Sequence, residues 1–213
     1  MTTSLSPDFD PLAHFQQLYQ QDADPWKVRQ RWYEQRKRAI LLASLPRQRY
    51  RSAFEPACGN GELTAALAQR AERVLASDLS AEAVSLTRRR LLREAPSDVE
   101  RVVVRQQQMP QQWPAEAGFD LIVISEMAYY LDEPDLLRLR QCCIDGLADG
   151  GTLVMCHWRR PFADRRLNTD SMHTVFGATP GLHRLVRHAE DDFLLDVWSS
   201  SAESVAQQEG LAA

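Results

Sequence analysis

FEPACGNG, at residues 54–61, places two glycines directly after a short apolar run and an acid. Glycines at this spacing predict a tight turn between a β-strand and an α-helix, where the backbone can approach a ligand within contact distance. A dinucleotide site requires G-x-G-x-x-G, whereas this stretch has Ala57, Gly59 and Gly61. The leading acid, Glu55, suits a cationic ligand better than a phosphate, so the turn favours a ligand with positive charge.

Strand-like and helix-like segments alternate on both sides of this turn. Strands are predicted at 52–56, 72–78, 101–105, 119–125, 152–158, 183–189 and 193–199. Helices are predicted at 10–21, 26–44, 62–70, 80–94 and 134–147, the last of them closed by Gly150 or Gly151 near its C-terminal cap. Helices between successive strands imply right-handed βαβ units, a parallel sheet and helices on both faces. The last two strands lack an intervening helix, so at least one of them is expected to run antiparallel.

The pattern predicts an α/β fold, with a Rossmann-like, doubly wound and mostly parallel sheet of seven strands and an antiparallel strand at its C-terminal end. The apolar run FDLIVIS at 119–125 is typical of a strand covered on both faces, which places it at the centre of the sheet. We expect N-terminal cover helices over residues 1–46, one α/β domain over 47–200 and a C-terminal tail over 201–213.

Composition bounds the partners and the location of the protein. The chain has 213 residues, a net charge of -4 and four cysteines. This negative net charge does not indicate binding to a nucleic-acid backbone, and the arginines at 88–93 are interpreted as a solvated helix face. No C-x-x-C spacing is present, so the thiols are expected to be reduced and no metal site is predicted. Without an export signal or an apolar run of about 18 residues, we expect no membrane partner and a cytoplasmic protein.

Ligands of open α/β sheets bind beyond the carboxyl ends of the strands. That rule gathers residues 55–61, Asp78, 106–109 and 125–130 at one edge of the predicted sheet. Asp78 ends the second strand, where a carboxylate can accept hydrogen bonds from both hydroxyls of a ribose. The alternative is an exposed loop aspartate that caps the next helix.

EPACGNG at 55–61 resembles motif I of the class I S-adenosylmethionine-dependent methyltransferases, E/D-x-G-x-G-x-G, with Ala57 in place of the first glycine. The resemblance continues through Asp78, FDLIVISE and LADGGTLVM, and covers about residues 50–158. The flanks are similar to the nodulation N-methyltransferase (NodS) family in DPW at 24–26, WYEQRK at 32–37, SEMAYYL at 125–131, CHWR at 156–159 and EDDFLLDVWS at 190–199. The resemblance implies that the domain at 47–200 is a class I methyltransferase domain.

The resemblance also implies S-adenosylmethionine as the cofactor. Its methionine part would lie along Gly59 and Gly61, its ribose on Asp78, and its adenine between Leu79 and Met109. The full set of implied cofactor-binding residues is Glu55, Ala57, Gly59, Gly61, Asp78, Leu79, Gln108, Met109, Ser125, Tyr33 and Arg36.

Four of these residues have roles that are less specified by the motif. Glu55 would orient the turn or meet the amino group of the cofactor. Gln108 stands where the family often has an acid, and its carbonyl can accept the same hydrogen bond from the adenine amino group. Tyr33 and Arg36, on the helix before the first strand, would cover the cofactor and meet its carboxylate.

The methyl carbon of a sulfonium is already electrophilic, so the protein must chiefly align a lone pair behind it and exclude water. An amine acceptor must be neutral to attack, which makes Glu126 and His157 the candidate catalytic residues for removing or holding a proton. The ordinary alternatives are a helix cap for Glu126 and a buried structural histidine for His157. Tyr129 and Tyr130 are adjacent, so at most one of them is expected to line the pocket.

We therefore expect a methyltransferase that acts on a small molecule, with an amine, such as an amino sugar or a glycan end, as the favoured acceptor. A small-molecule O-methyltransferase and a non-catalytic cofactor-binding module remain alternatives. A nicotinamide-dependent oxidoreductase on the same sheet is disfavoured because G-x-G-x-x-G is missing. The oligomeric state cannot be predicted from this sequence.

Overall fold

Strands and helices alternate along residues 10–212, the part of the chain that this computed structural model describes. The strands are β1 Tyr50–Pro56, β2 Ala71–Asp78, β3 Val102–Gln106, β4 Phe119–Ser125, β5 Leu147–Trp158, β6 His183–Ala189 and β7 Phe193–Ser199. The helices are α1 Pro11–Gln21, α2 Trp32–Ala43, α3 Glu62–Ala68, α4 Ala81–Glu94, α5 Glu133–Gly146, α6 Thr169–Gly177 and α7 Val205–Gln208. Short 3₁₀ turns lie at Pro96–Arg101 and Ala128–Tyr130.

All seven strands form one sheet in the order β3-β2-β1-β4-β5-β7-β6. Strands β1 to β5 are parallel, and β7 is antiparallel to both β5 and β6. The predicted doubly wound, mostly parallel seven-stranded sheet is therefore confirmed. The chain order reverses between β1 and β4, so the segments that follow these two strands diverge at one edge and leave a crevice between them.

β4 is the central strand, as the FDLIVIS run predicts, and its first six residues are buried. Alternate residues of β4 belong to different apolar clusters, with Leu121 and Val123 in one and Ile122 and Ile124 in the other. Since successive side chains of a strand point to opposite faces, helices must cover both faces of the sheet.

The ADGG segment departs from the prediction. Helix α5 ends at Gly146, and β5 begins at Leu147, so Gly150 and Gly151 lie inside a strand and do not cap the helix. The pairing of β4 with β5 shifts register between Phe119 and Leu121, which indicates a bulge. A Cβ on Gly151 would lie 2.7 Å from the carbonyl oxygen of Ala148, so the bulge requires glycine there.

Two further helix predictions need correction. Helix α2 starts at Trp32, not at residue 26, because the Asp24 carboxylate accepts the backbone N–H of Val28 at 2.8 Å and holds the preceding segment in a turn. Helices α6 and α7 have no counterpart among the predicted helices. The Asn168 side chain caps α6 by accepting the N–H of Ser171, and Ser204 caps α7 within the predicted tail by accepting the N–H of Gln207. Of the predicted cover segment, residues 1–9 lie outside the described part of the chain.

Within residues 10–212, every helix is too short or too polar to cross a membrane. The domain boundaries, the cytoplasmic location and the expectation of no nucleic-acid partner stay predictions.

Candidate functional site

A cavity of about 610 Å³ opens at the carboxyl edge of the sheet, between the ends of β1 and β4. Its floor comes from the glycine turn, the end of β2 and the segment after β4, and helices α1 and α2 contribute its cover. Sites for small ligands and cofactors span about 300 to 1,000 Å³, so the cavity is large enough for a cofactor and part of a second molecule.

The glycine turn lies against this cavity in a left-handed backbone conformation. The φ angles of Ala57, Gly59 and Gly61 are 58°, 57° and 81°. A Cβ on Gly59 would lie 2.7 Å from the Tyr19 hydroxyl, so the close approach of α1 favours glycine there. Gly61 does not line the cavity. A Cβ on Gly61 would lie 2.9 Å from the methyl group of Thr87, so glycine at this position lets the turn pack closely on α4.

Asp78 lies beside the glycine turn and lines the cavity. One carboxylate oxygen accepts the N–H of Gly59 and the other accepts the N–H of Ser80, both at 2.9 Å. Burial raises the pKa of Asp78 to about 6, although these backbone N–H groups oppose the shift. Each oxygen keeps one free lone-pair direction, so the carboxylate can still accept two hydroxyl donors.

Five more of the residues predicted around the cofactor are at the cavity. Leu79, Met109 and Ser125 line it, and Gln108 lies exposed at its rim. Glu55 lines it as well, although its side chain is buried and accepts the Thr64 hydroxyl at 2.6 Å. Burial raises the pKa of Glu55 to about 8, so this carboxyl group is protonated at neutral pH when no ligand is bound.

Glu126 follows β4 with a left-handed φ of 54° and lines the opposite side of the cavity. One of its oxygens pairs with the ammonium of Lys37 on α2. The other accepts the Tyr129 hydroxyl at 2.6 Å and the backbone N–H of Trp158 at 2.9 Å. Three separate segments therefore fix this carboxylate, and helix capping is not among its contacts.

Lys37 is a site residue that the sequence reasoning missed. Its ammonium is buried and also lies 2.9 Å from Glu34, so it bridges two carboxylates that line the cavity. Burial alone would lower the pKa of Lys37, but the charges of Glu126 and Glu34, with a further contribution from Cys156, raise it above the usual value. Lys37 therefore stays charged beside Glu126. The position of WYEQRK on an amphipathic helix was the available signal, but it does not specify which basic residue faces inward.

Besides Gly61, the structure leaves two more of the predicted site residues, Arg36 and His157, outside the cavity lining. Arg36 points towards the connection between β6 and β7, where it forms two hydrogen bonds with the Glu190 carboxylate, at 2.7 and 2.9 Å. His157 is 0% exposed, and its ring nitrogens contact His173 and the backbone of Ala128. Burial lowers the pKa of His157 well below the usual value. A base at the cavity mouth must reach the acceptor, and His157 does not.

Tyr33, by contrast, lines the cavity as predicted. Its hydroxyl oxygen is buried and has no hydrogen-bond partner among residues 10–212. Burial raises the pKa of Tyr33, so the phenol is neutral and can donate or accept a hydrogen bond. An unpaired buried hydroxyl at a cavity wall is a ready partner for a polar ligand group.

Aromatic rings form the remaining wall near Glu126. Tyr129 and Tyr130 both line the cavity, which contradicts the expectation that only one would: within their 3₁₀ turn the two rings pack edge-on against each other, 4.8 Å apart, and both border the cavity. Phe15 of α1 packs edge-on against Tyr130 with ring centroids 4.9 Å apart. Phe162 contacts both tyrosine rings, at 4.9 and 5.7 Å.

Acidic side chains outnumber basic ones around the cavity. The acidic lining residues are Asp24, Glu34, Glu55, Glu62, Asp78, Glu126, Asp132, Asp135 and Asp164. The basic ones are Arg31, Lys37, Arg38 and Arg166. Lys37 is held by Glu34 and Glu126, and Arg38 lies 3.4 Å from Glu62, so the unbalanced charge at the cavity is negative. Such a lining favours cationic ligands.

Comparison with known proteins gives a family match and related sequences. A family model described as Nodulation protein S (NodS) matches residues 13–165. Nodulation protein S of Rhizobium tropici is 35% identical over 135 residues, which are 62% of this chain and 53% of that protein. The chain spans about half the length of the curated relatives it matches.

Solved structures extend the likeness to most of the chain. A Pseudomonas syringae structure with a provisional methyltransferase assignment is 48% identical, has a TM-score of 0.69, and covers 79% of this chain and 99% of its own. N-methyltransferase NodS from Bradyrhizobium japonicum WM9, in complex with S-adenosyl-L-homocysteine, has a TM-score of 0.74 and 23% identity, and covers 87% of this chain and 97% of its own. The second likeness shows the fold alone.

Proposed function

Because this chain belongs to the Nodulation protein S (NodS) family, we propose that it is an S-adenosylmethionine-dependent methyltransferase that acts on a small-molecule amine. One observation carries the proposal: the turn at 57–60, the Asp78 carboxylate and the Glu126 carboxylate all open into a single cavity. A cofactor on the turn and an acceptor at Glu126 would thus share one cavity, as direct group transfer requires.

The residues present fit the cofactor. The left-handed turn leaves no side chain at Gly59, and Asp78 has free acceptor capacity for the two ribose hydroxyls. Leu79 and Met109 offer apolar surface for the adenine ring on either side. The unpaired Tyr33 hydroxyl is available to the polar end of the methionine part. Glu55, buried and hydrogen-bonded to the Thr64 hydroxyl, supports the turn from behind.

The cofactor supplies an electrophilic methyl group when it is bound. The chain's own residues then have three tasks. Helices α1 and α2 cover the cavity with Phe15, Tyr19 and Tyr33 and exclude water from it. The aromatic wall of Tyr129 and Tyr130 orients the acceptor.

Glu126 holds or accepts the proton that a neutral amine must have lost. Its oxygen next to Lys37 retains a lone pair, whereas the other oxygen is committed to Tyr129 and Trp158. The excess of carboxylates around the cavity attracts an acceptor that arrives as an ammonium ion. This charge favours an amine over a neutral alcohol, and an amino sugar is the first acceptor to test.

Calorimetric titration with S-adenosyl-L-homocysteine, with NAD as the control ligand, tests the cofactor part of the proposal. Saturable binding of S-adenosyl-L-homocysteine alone is expected. Equal binding of NAD, or binding of neither ligand, would contradict it.

The acceptor part is tested by mass spectrometry after incubation with S-adenosylmethionine and either glucosamine or N-acetylglucosamine. The two sugars share their hydroxyls and differ at the amine, so methylation of glucosamine alone indicates N-transfer. Equal methylation of both would indicate an O-methyltransferase. Cofactor binding without turnover of glucosamine, its short oligomers or simple alkylamines would favour a non-catalytic binding module.

A further inference from the structure

Three buried polar side chains form a continuous chain behind the Glu126 turn. Asp196 of β7, His173 of α6 and His157 of β5 are 0%, 2% and 0% exposed, and they are not among the residues that line the cavity. The Asp196 carboxylate lies 2.8 Å from Nδ1 of His173. Nε2 of His173 lies 3.1 Å from Nδ1 of His157, and Nε2 of His157 accepts the backbone N–H of Ala128 at 3.3 Å.

Only one arrangement of protons satisfies every link of this chain. The N–H of Ala128 can only donate, so Nε2 of His157 must carry a lone pair. His157 then carries its proton on Nδ1 and donates it to Nε2 of His173. His173 in turn must hold its proton on Nδ1, which faces the Asp196 carboxylate. Both imidazoles are therefore neutral, and both are Nδ1–H tautomers.

Two arginines lie near the far side of the Asp196 carboxylate. Its second carboxylate oxygen has no hydrogen-bond partner among residues 10–212, but Arg184 and Arg187 of β6 lie at 4.0 and 3.9 Å from it. The positive charges offset the burial of the carboxylate, and its other oxygen, which faces Nδ1 of His173, orders the two imidazoles.

The end of β5 holds the segment after β4 at three successive positions. The carbonyl oxygen of Cys156 accepts the N–H of Glu126 at 3.0 Å. His157 accepts the N–H of Ala128, and the N–H of Trp158 donates to the Glu126 carboxylate. The middle contact is the only one of the three made by a side chain of β5, and it depends on the tautomer of His157.

We propose that Asp196, His173 and His157 are positioning residues for the acceptor side of the site: they keep Nε2 of His157 as an acceptor and thereby fix the turn that carries Glu126 and Tyr129. This inference rests on the proposed function for its catalytic consequence. The chain ends at a peptide N–H, which cannot pass a proton on, so it orients the turn and does not relay protons. In the opposite tautomer, Nε2–H of His157 would face the N–H of Ala128, and the two donors would push the turn away from β5.

The tautomers can be measured directly on the full-length protein labelled with ¹⁵N. Two-bond ¹H–¹⁵N correlation spectra at neutral pH distinguish a protonated ring nitrogen from a bare one. The whole protein has only five histidines to assign. We expect both His157 and His173 to carry one proton on Nδ1. A proton on Nε2 of His157, or a doubly protonated His157 ring, would overturn the inference whatever the enzyme's activity.

Asp196→Asn provides a spectroscopic test of the direction of the chain. Arg184 and Arg187 favour the amide oxygen on their side, so the amide NH₂ would face Nδ1 of His173. We expect the protons of both rings to move to Nε2 in this variant. Unchanged tautomers would show that Asp196 does not order the imidazoles.

Two substitutions of His157 separate positioning from packing. His157→Gln can keep an acceptor oxygen near the N–H of Ala128, whereas His157→Leu removes the acceptor and keeps the bulk. We expect the leucine variant to lose at least tenfold in kcat and the glutamine variant to recover most of it, with S-adenosyl-L-homocysteine affinity within twofold in both. Phe176 is buried on α6 but does not belong to the hydrogen-bonded chain, so Phe176→Leu controls for a general loss of packing.

Equal losses in the glutamine and leucine variants, or a parallel loss of cofactor affinity, would contradict a positioning role. If the proposed function itself fails, the wild-type protein will not bind S-adenosyl-L-homocysteine or methylate any acceptor. The tautomer measurement would still decide whether the hydrogen-bonded chain exists.

Discussion

The two sides of the cavity are built in different ways. On the turn side, Gly59 and its partner Asp78 are 19 residues apart, and consecutive strand, turn and helix segments position both. On the other side, Glu126 is held by Lys37 and Trp158, which are 89 and 32 residues away in the chain. The turn side therefore depends on backbone conformation within one βαβ unit, and the Glu126 side depends on charges brought together by the complete fold. Mutations on the first should affect cofactor affinity, and mutations on the second should affect turnover or stability.

The largest effect is expected from Glu126→Gln. Removal of a group that handles the acceptor proton should lower kcat by about 100-fold, because general acid–base catalysis contributes roughly 10² to 10⁴. Affinity for S-adenosyl-L-homocysteine should change by less than about twofold, since Glu34 still neutralises Lys37. Steady-state kinetics and calorimetry measure the two quantities. Glu133→Gln, an exposed residue of α5 outside the cavity, is the matched control, and an equal kcat in both variants would remove Glu126 from the chemistry.

Lys37→Met tests the Glu126 side of the cavity through the free energy of unfolding. The substitution leaves Glu34 and Glu126 close together without the ammonium between them, so we expect the free energy of unfolding to fall by about 3 kcal/mol. Arg36→Met removes the neighbouring cation, whose pair with Glu190 is more exposed than the Lys37 bridge, and should lower the stability much less. Urea denaturation compares the two variants. Similar losses would mean that the buried bridge is no more important than a surface ion pair.

The same contrast explains which features could be read from the sequence. The bounds of β4, β6 and β7 match their predicted segments because each is a bounded run with its own periodicity. Asp78 could be placed because the fold alone fixes the end of β2. Lys37 could not, because Arg36 and Lys37 are adjacent cations on one helix, and the sequence does not show which carboxylates approach that helix.

The prediction that His157 lies at the cavity rests on its position near the end of β5, and it is wrong. Strand alternation held the missing signal: Cys156 and Trp158 line the cavity, so the side chain between them must point to the other face. The partner of that hidden face, α6, was not predicted at all. The prediction that ADGG caps a helix is wrong for a related reason. The sequence does not distinguish glycines of a strand bulge from those of a helix cap until the register of the sheet is known.

Asp78→Ala tests the turn side of the comparison. It removes a carboxylate that is expected to accept two ribose hydroxyls, so the affinity for S-adenosyl-L-homocysteine should fall by about 1.5 to 3 kcal/mol. The kcat at saturating cofactor should change much less, which is the opposite of the pattern expected for Glu126→Gln. Calorimetry gives the affinity, and an unchanged value would remove Asp78 from the cofactor site. Asp135→Ala, at the rim of the same cavity, is the control for a general loss of negative charge.

The smallest effect is a pH dependence that belongs to the turn side alone. The carboxyl group of Asp78 has a pKa of about 6, and only its ionised form can accept from both hydroxyls. Cofactor affinity should therefore be constant above pH 7 and fall as the pH drops through 6, by about tenfold at pH 5, one unit below that pKa. Glu55, with a pKa of about 8, stays protonated throughout this window and should not contribute.

Calorimetric titrations with S-adenosyl-L-homocysteine between pH 5 and 7.5 measure the profile. It should become flat in Asp78→Ala and persist in Glu126→Gln; a profile that persists in Asp78→Ala would assign the titration to another group and weaken the distinction between the two sides.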